Sequence, residues 1–216
     1  MNSPFLNFGS VRLINLDYAR AVYEEVLGDE DCYRKAKIRE GSIVIDVGGF
    51  CGEFGIWCAL EKRCNVFIYE PSEHHLIARF NAILNGCPVY VFHAAIGNSI
   101  GLRRFKYKPE AATSSQLSDD AEGVSVECFT LKHEIAKAKE LFGDLPVCVK
   151  LDCEGAEREI FDDESWLDGV YSVLLEFHYK DGERYREILR RHGFTLDTTD
   201  PNPEAWRAVI YAERNL

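Results

Sequence analysis

Two pairs of polar side chains in the second half of the chain have the types and the spacing needed for proton transfer. Asp152 and Glu154 follow one apolar run, and Glu176 and His178 end the next. One residue intervenes within each pair, so both members face the same side if the strand continues. A carboxylate or an imidazole at a strand end can take the proton of a hydroxyl nucleophile, and His178 is the natural base near neutral pH. Asp152, Glu154 and His178 are therefore the predicted catalytic residues.

Other roles for these residues stay open. Asp152 is also suited to cap the helix predicted after Gly155, and His178 could be a hydrogen-bonded histidine at a strand end. Asp152, Glu154 and Glu176 are hard oxygen ligands that could hold Mg²⁺, although the chain has no dedicated metal-binding spacing. Mg²⁺ is kept as an alternative, and no metal site is assigned.

A glycine turn and a strand tip in the first half of the chain suit a nucleoside. A run over residues 43–47, apolar except for Asp46, leads into this glycine turn, which spans residues 48–52. Glycines let the backbone of the turn come close to a ligand. The next apolar run ends at Glu70, 24 residues after Asp46. A carboxylate at the tip of a second strand is placed to accept both hydroxyls of a ribose; otherwise Glu70 caps the following helix. The candidate residues here are Asp46, Gly48, Gly49, Phe50, Gly52, Glu70 and Pro71.

The glycine spacing indicates which nucleoside cofactor the chain would bind. The dinucleotide fingerprint G-x-G-x-x-G is absent, and the spacing that is present, Asp-x-Gly-x-x-x-Gly, lacks the pyrophosphate-binding pattern. S-adenosylmethionine is therefore favoured over NAD. Ala95 and Ile96, after the third strand, would let an adenine lie against the backbone, although a close helix–sheet contact would explain them too. Asp152, expected near the sulfonium, completes the predicted cofactor site.

The elements that must position these residues alternate strictly between strand and helix from residue 42 to residue 94. This order is typical of βαβ units. Two strands at the end, over 194–198 and 206–213, form a hairpin that puts one antiparallel strand into an otherwise parallel sheet. The predicted fold is α/β and Rossmann-like: a seven-stranded, mostly parallel sheet with a C-terminal antiparallel hairpin and helices on both faces.

Two segments outside this sheet carry predictions of their own. Residues 1–41 are predicted as a helical lead-in, with helices over 16–27 and 32–38, and residues 42–216 as one cofactor-binding domain. The polar stretch 109–122, between two extended segments, is predicted to be a lid over the substrate, or else a linker. In the helix over 72–85, the side chains predicted to share one apolar face are Leu76, Ile77, Phe80 and Leu84.

Charge and composition exclude several classes of protein. The net charge is −11, and the chain lacks the clustered Lys and Arg that a partner with a phosphate backbone requires. No apolar run is long enough to span a bilayer. The eight cysteines contain no C-x-x-C pair and are interpreted as reduced thiols of a cytosolic protein. We therefore predict a cytoplasmic protein without a nucleic-acid or membrane partner; its oligomeric state is left open.

The chain resembles the FkbM-type methyltransferases over about residues 42–180. The resemblance rests on the stretches 44–52, 69–71, 149–157 and 175–178. It implies a class I methyltransferase fold, S-adenosylmethionine as cofactor, and O-methylation of a small-molecule hydroxyl of the sugar or natural-product type. In one departure, the usual Ala-Asn of the family is Gly49-Phe50 here, so the cofactor turn lacks a side-chain amide.

Three further functions remain as alternatives. The chain could methylate a nitrogen or carbon nucleophile, although it lacks the Asn/Asp-Pro-Pro-aromatic motif typical of nucleobase methylation. It could bind S-adenosylmethionine without catalysis, to which Phe50 lends some support. An NAD-dependent oxidoreductase is disfavoured by the missing fingerprint. The fold alone does not choose among these functions.

Overall fold

The computed structural model describes residues 3–28, 33–106, 116–118, 122–178, 181–197 and 207–215, with the backbone alone at 116, 178, 118 and 207. The strands in these residues are β1 (Phe5–Phe8), β2 (Val11–Ile14), β3 (Ile43–Val47), β4 (Asn65–Tyr69), β5 (Val89–Phe92), β6 (Ala94–Ile96), β7 (Gly101–Lys106), β8 (Gln116–Ser118), β9 (Val124–Phe129), β10 (Val147–Leu151), β11 (Ser172–His178), β12 (Thr195–Asp197) and β13 (Arg207–Glu213). The α-helices are α1 (Ala19–Leu27), α2 (Glu53–Glu61), α3 (His74–Asn85), α4 (Leu131–Phe142), α5 (Glu157–Ile160) and α6 (Gly182–Arg191). A 3₁₀ helix spans Glu164–Gly169.

Seven strands form the main sheet, in the order β12-β13-β11-β10-β3-β4-β5. Neighbouring strands are parallel except at β13, which runs antiparallel to both β11 and β12. The predicted class I methyltransferase fold is therefore confirmed, including its C-terminal antiparallel hairpin. The carboxyl ends of β3, β4 and β10 meet at one edge of the sheet, which is where ligands bind in open α/β folds.

The central strands are buried on both faces. Every residue of β3 and of β10 is buried. Ile43 and Ile45 belong to one core cluster, which includes Leu131 of α4, whereas Val44 belongs to a second cluster that includes Phe54 of α2. Because successive strand residues point to opposite faces, these two cores confirm the predicted helices on both sides of the sheet.

The N-terminal segment differs from the predicted helical lead-in. The antiparallel hairpin β1–β2 precedes α1, and the described residues 33–38 form turns rather than the predicted helix. Val11 and Leu13 are buried while Arg12 is exposed, which is the alternation of a half-buried strand. The helix predicted over 16–27 is present, although it begins three residues later, as α1.

The hairpin is fixed by two asparagines of α3. Asn81 Oδ1 accepts a hydrogen bond from the Ile14 backbone N–H at 2.9 Å, and Asn85 Oδ1 accepts one from the Arg12 N–H at 2.8 Å. These contacts explain why the buried side of α3 is small and polar. Ala78 and Asn81 are buried there.

The apolar face predicted for α3 is only partly a core face. Leu76 is 59% exposed and Phe80 44% exposed, whereas Ile77 and Leu84 are half-buried. The helix lies against the hairpin β1–β2 through its small and polar side, which leaves the larger side chains outside.

A smaller sheet, in the order β6-β9-β7-β8, follows the third parallel strand of the main sheet. It contains the two extended segments predicted around the polar stretch. Leu117 of β8 lies opposite Phe105 of β7. Most of the predicted lid, 109–122, lies outside the described residues, so its role stays a prediction.

Candidate active site

A cavity of about 330 Å³ opens at the carboxyl edge of the main sheet. Its volume lies at the lower end of the range typical of small-molecule sites. The predicted residues that line it are Gly48, Gly49, Phe50, Glu70, Pro71, Ala95, Ile96, Asp152 and Glu154. Other lining residues were not assigned to the site from the sequence, among them Tyr33, Glu53 and Lys150.

Close packing explains both glycines at the start of the turn. Gly48 has a φ of 71°, and a Cβ there would lie 1.7 Å from the Asp152 carbonyl oxygen. A Cβ on Gly49 would lie 2.2 Å from Cγ2 of Ile68. A larger residue would have to displace the Asp152 backbone at position 48 or the Ile68 side chain at position 49, so the backbone itself forms this wall of the cavity.

Phe50 has the left-handed conformation that its asparagine counterpart would adopt more readily. Its φ is 45°, a region in which asparagine is several-fold enriched and a bulky residue is rare. The Phe50 ring stacks on His74, with ring centroids 4.0 Å apart. Its backbone N–H, which any residue at this position would supply, donates to Glu70. The change of side chain therefore leaves the link between turn and strand tip intact.

Glu70 is held at the tip of β4 by two backbone groups. Its Oε2 accepts a hydrogen bond from the Phe50 N–H at 2.9 Å, and its Oε1 accepts one from the Ser72 N–H at 2.8 Å. Burial raises the pKa of Glu70, and the hydrogen bonds from Ser72 and Phe50 oppose that rise. Each oxygen retains capacity for a further donor. Since α3 begins at His74, the N–H of residue 72 that Glu70 binds precedes the helix, and Glu70 bonds no N–H group within α3 itself.

Lys150 connects the glycine turn to the acidic groups around it. Its ammonium group donates to the Gly48 carbonyl at 2.6 Å and lies 3.2 Å from Asp46 Oδ1 and 3.5 Å from Asp152 Oδ2. Burial alone would lower the pKa of Lys150, but Asp46 and Asp152 outweigh it and raise the pKa above its usual value. The ammonium group therefore stays charged at neutral pH.

Two predicted cofactor residues do not line the cavity. Asp46 is fully buried beside Lys150, and burial raises its pKa while Lys150 lowers it. Gly52, with a φ of 88°, is the N-cap of α2. Both residues support the turn from outside the cavity lining, and the fully buried Asp46 has no direct contact with the cavity.

Tyr33 joins two acids from different strand ends. Its hydroxyl lies 2.7 Å from Asp152 Oδ2 and 2.8 Å from Glu176 Oε2. Burial, then the charges of Asp152 and Glu176, raise the pKa of Tyr33. A hydroxyl has one proton, so it can donate to only one carboxylate at a time, and satisfying both contacts requires a second proton in the group.

The turn after β10 arranges the two predicted acids differently from a strand. The strand ends at Leu151, so the condition under which Asp152 and Glu154 would share a strand face is not met. Glu154 has a φ of 56° yet still lines the cavity. The N-cap of α5 is Ala156, so Asp152 is not the cap of that helix. Glu157 closes the turn instead, since its carboxylate accepts hydrogen bonds at 2.8 Å from the N–H groups of residues 153 and 155.

The predicted base His178 is the last residue of β11, opposite Arg207. Its side chain lies outside the described part of the structure, so its catalytic role stays a prediction. Among the described residues, no group of three or more His, Cys, Asp or Glu side chains is arranged to hold a metal ion. No helix in the described ranges is long and apolar enough to cross a membrane.

Comparison with known proteins agrees with the predicted family. The model of the methyltransferase FkbM domain matches residues 53–196. The chain is 26% identical to 31-O-demethyl-FK506 methyltransferase FkbM of Streptomyces tacrolimicus, over 88% of this chain and 87% of the relative. It is 21% identical to Methyltransferase 1 of Beauveria bassiana (strain ARSEF 2860), over 90% and 89% of the two chains.

Two solved methyltransferase structures align with most of this chain. Precorrin-6y C5,15-methyltransferase of Geobacter metallireducens GS-15 aligns over 98% of this chain and 94% of its own, with 15% identity and a TM-score of 0.48. M. jannaschii TYW2 in complex with AdoMet aligns over 98% and 86%, with 14% identity and a TM-score of 0.48. Because the family model covers more than half of the sequence, the chain belongs to the FkbM methyltransferase family.

Proposed function

We propose that this methyltransferase transfers the methyl group of S-adenosylmethionine to a hydroxyl oxygen of a small molecule. The observation that carries the proposal is the placement of Glu70: a buried carboxylate, fixed by two backbone N–H groups, that lines the cavity beside the glycine turn. Two oxygens held at a strand tip, each with a lone pair to spare, are complementary to the two hydroxyls of a ribose.

The remaining walls of the cavity fit the other parts of the cofactor. Ala95 and Ile96 are buried apolar residues that line the cavity, where they would offer an adenine an apolar surface. Gly48 and Gly49 expose backbone to the amino-acid end, since a Cβ on either would collide with its neighbours. When bound, S-adenosylmethionine would supply an electrophilic methyl group and a neutral thioether as leaving group.

The chain's own task in O-methylation is to orient a hydroxyl and take its proton. We assign the proton to Asp152, whose side chain is 22% exposed and lines the cavity. Tyr33 and Lys150 hold Asp152 Oδ2 in place, which fixes the carboxylate for an in-line approach of the acceptor. Glu154 and His178 stay as further candidates for the same step.

The nature of the acceptor rests on the relatives. The name of the Streptomyces tacrolimicus relative, 31-O-demethyl-FK506 methyltransferase FkbM, indicates a substrate that lacks a methyl group on an oxygen. A small hydroxyl compound of the natural-product or sugar type is therefore the proposed acceptor.

A labelled-methyl experiment tests this function. The protein is incubated with S-adenosylmethionine bearing a ¹³C-methyl group and with pools of sugars and hydroxylated natural products. We expect enzyme-dependent products whose label has the carbon chemical shift of a methoxy group. Label found only on nitrogen or carbon would contradict O-methylation. Asp152→Asn serves as the matched variant, since it keeps the shape of the side chain and removes the base.

A further inference from the structure

Glu53 is a buried acid of the cavity whose role is unassigned. It is the first residue of α2, directly after the turn, and it is 2% exposed. Glu53 lines the cavity together with Gly48 and Gly49. Its Oε1 accepts no hydrogen bond from any described residue. By contrast, both oxygens of Glu70 accept hydrogen bonds.

Among the residues that the structure describes, none forms an ion pair with Glu53. Lys150 is the nearby ammonium group, but it already contacts Asp46, Asp152 and the Gly48 carbonyl. Burial raises the pKa of Glu53 to about 7, and the charge of Asp46 adds to the rise while Lys150 opposes it. The thiol of Cys51 also lies close enough to feel the Glu53 charge. A buried carboxylate oxygen without a donor is costly, so its natural complement is a positively charged N–H group of a ligand.

We propose that Glu53 binds the α-ammonium group of S-adenosylmethionine and so selects cofactors that have an intact amino-acid end. The inference rests on the proposed function. With the ribose at Glu70, the amino-acid end of the cofactor would lie along the glycine turn, and Glu53 follows this turn directly and lines the same cavity. The sulfonium has no N–H and cannot satisfy Oε1, whereas the ammonium group has three donors.

A binding cycle with two ligands and two proteins tests the inference without any need for an acceptor. The ligands are S-adenosylhomocysteine and its deamino analogue, 5′-S-(3-carboxypropyl)-5′-thioadenosine, which differ only by the amino group. The proteins are the wild type and Glu53→Gln, titrated by calorimetry at pH 8. We expect Glu53→Gln to lower the affinity for S-adenosylhomocysteine about 10- to 100-fold, as for a lost charge-assisted hydrogen bond. The affinity for the analogue should change less than about threefold.

Controls separate this outcome from a folding defect. Glu61→Gln, at the exposed end of the same helix, should leave both affinities unchanged. The wild type alone should prefer S-adenosylhomocysteine over the analogue by about tenfold or more at pH 8, and this preference should shrink at pH 6, where Glu53 becomes protonated. That comparison needs no variant, so it still tests the inference if Glu53→Gln does not fold: equal affinity of the wild type for the two ligands at pH 8 would overturn it.

Two results would overturn the inference and leave the proposed function standing. One is an equal loss of affinity for both ligands in Glu53→Gln, and the other is an unchanged affinity for both. In the second case Glu53 would be free to contact an amine of the acceptor instead. If neither ligand binds the wild type, it is the proposed function that fails, because cofactor binding itself is absent.

Discussion

Replacing Lys150 with methionine tests how strongly one ammonium group stabilises the cavity. The side chain is 4% exposed and lies 3.2 Å from Asp46, whose own side chain is completely buried. Methionine retains most of the apolar volume but leaves the Asp46 carboxylate without its counter-ion. Removing one partner of a buried ion pair typically costs about 3–5 kcal/mol of unfolding free energy. For a protein of this size that corresponds to a melting temperature lower by roughly 6–20 °C.

The matched control is an exposed ion pair with a similar separation. Lys139 lies 2.8 Å from Asp144, but the Asp144 side chain is 91% exposed. Lys139→Met should therefore cost less than about 1 kcal/mol in the same denaturation experiment. The change in unfolding free energy of Lys139→Met measures the effect of replacing a lysine in an ion pair that is not buried.

A second-site change distinguishes an unpaired charge from lost packing. Asp46→Asn combined with Lys150→Met removes both charges, so it should recover a large part of the stability lost by Lys150→Met alone. Urea denaturation of the wild type, both single variants and the double variant gives the coupling free energy directly. A loss below about 1 kcal/mol for Lys150→Met, or strictly additive effects, would refute the reasoning that Lys150 compensates a buried Asp46 charge.

Three more predictions follow from the cavity. Glu70→Gln should weaken S-adenosylhomocysteine and its deamino analogue alike, by about 10- to 100-fold in calorimetry, because the ribose is common to both ligands; unchanged affinities would remove Glu70 from the ribose site. Asp152→Asn should slow turnover about 10²–10⁴-fold once an acceptor is known, and a wild-type rate would move the base to Glu154 or His178. Since the pKa of Glu53 rises from 4.5 to about 7 on folding, the native state binds more protons than the unfolded state in that interval, and wild-type stability declines as pH rises through it. The stability of Glu53→Gln relative to wild type should therefore increase by about 3 kcal/mol between pH 4 and pH 8, and parallel urea profiles would contradict this.

The residues at the strand tips could be predicted because parallel strands bring their carboxyl ends to one edge. Glu70 and Asp152 each follow an apolar run, and the order of the runs in the chain is enough to expect them in one cavity. The glycine turn could be predicted as well, since consecutive glycines after a buried strand have few structural explanations.

Tyr33 could not be predicted because no local pattern marks it. It falls in the predicted helix over 32–38, which the structure does not form, and it meets Asp152 across 119 residues of sequence. Glu53 was overlooked for the opposite reason: an acid in the first turn of a helix is so common that its burial is not visible in the sequence. The hairpin β1–β2 was missed because its strands have four residues each, too few for a clear alternation.

Calorimetric titration with S-adenosylhomocysteine tests the central claim most directly, because it depends on the cavity alone and not on the unknown acceptor. The wild type should bind one equivalent saturably, Glu70→Gln should bind it at least about tenfold more weakly, and NAD should give no heat of binding. Binding of NAD in place of S-adenosylhomocysteine, or S-adenosylhomocysteine binding that Glu70→Gln leaves unchanged, would contradict the assignment of this cavity as the cofactor site.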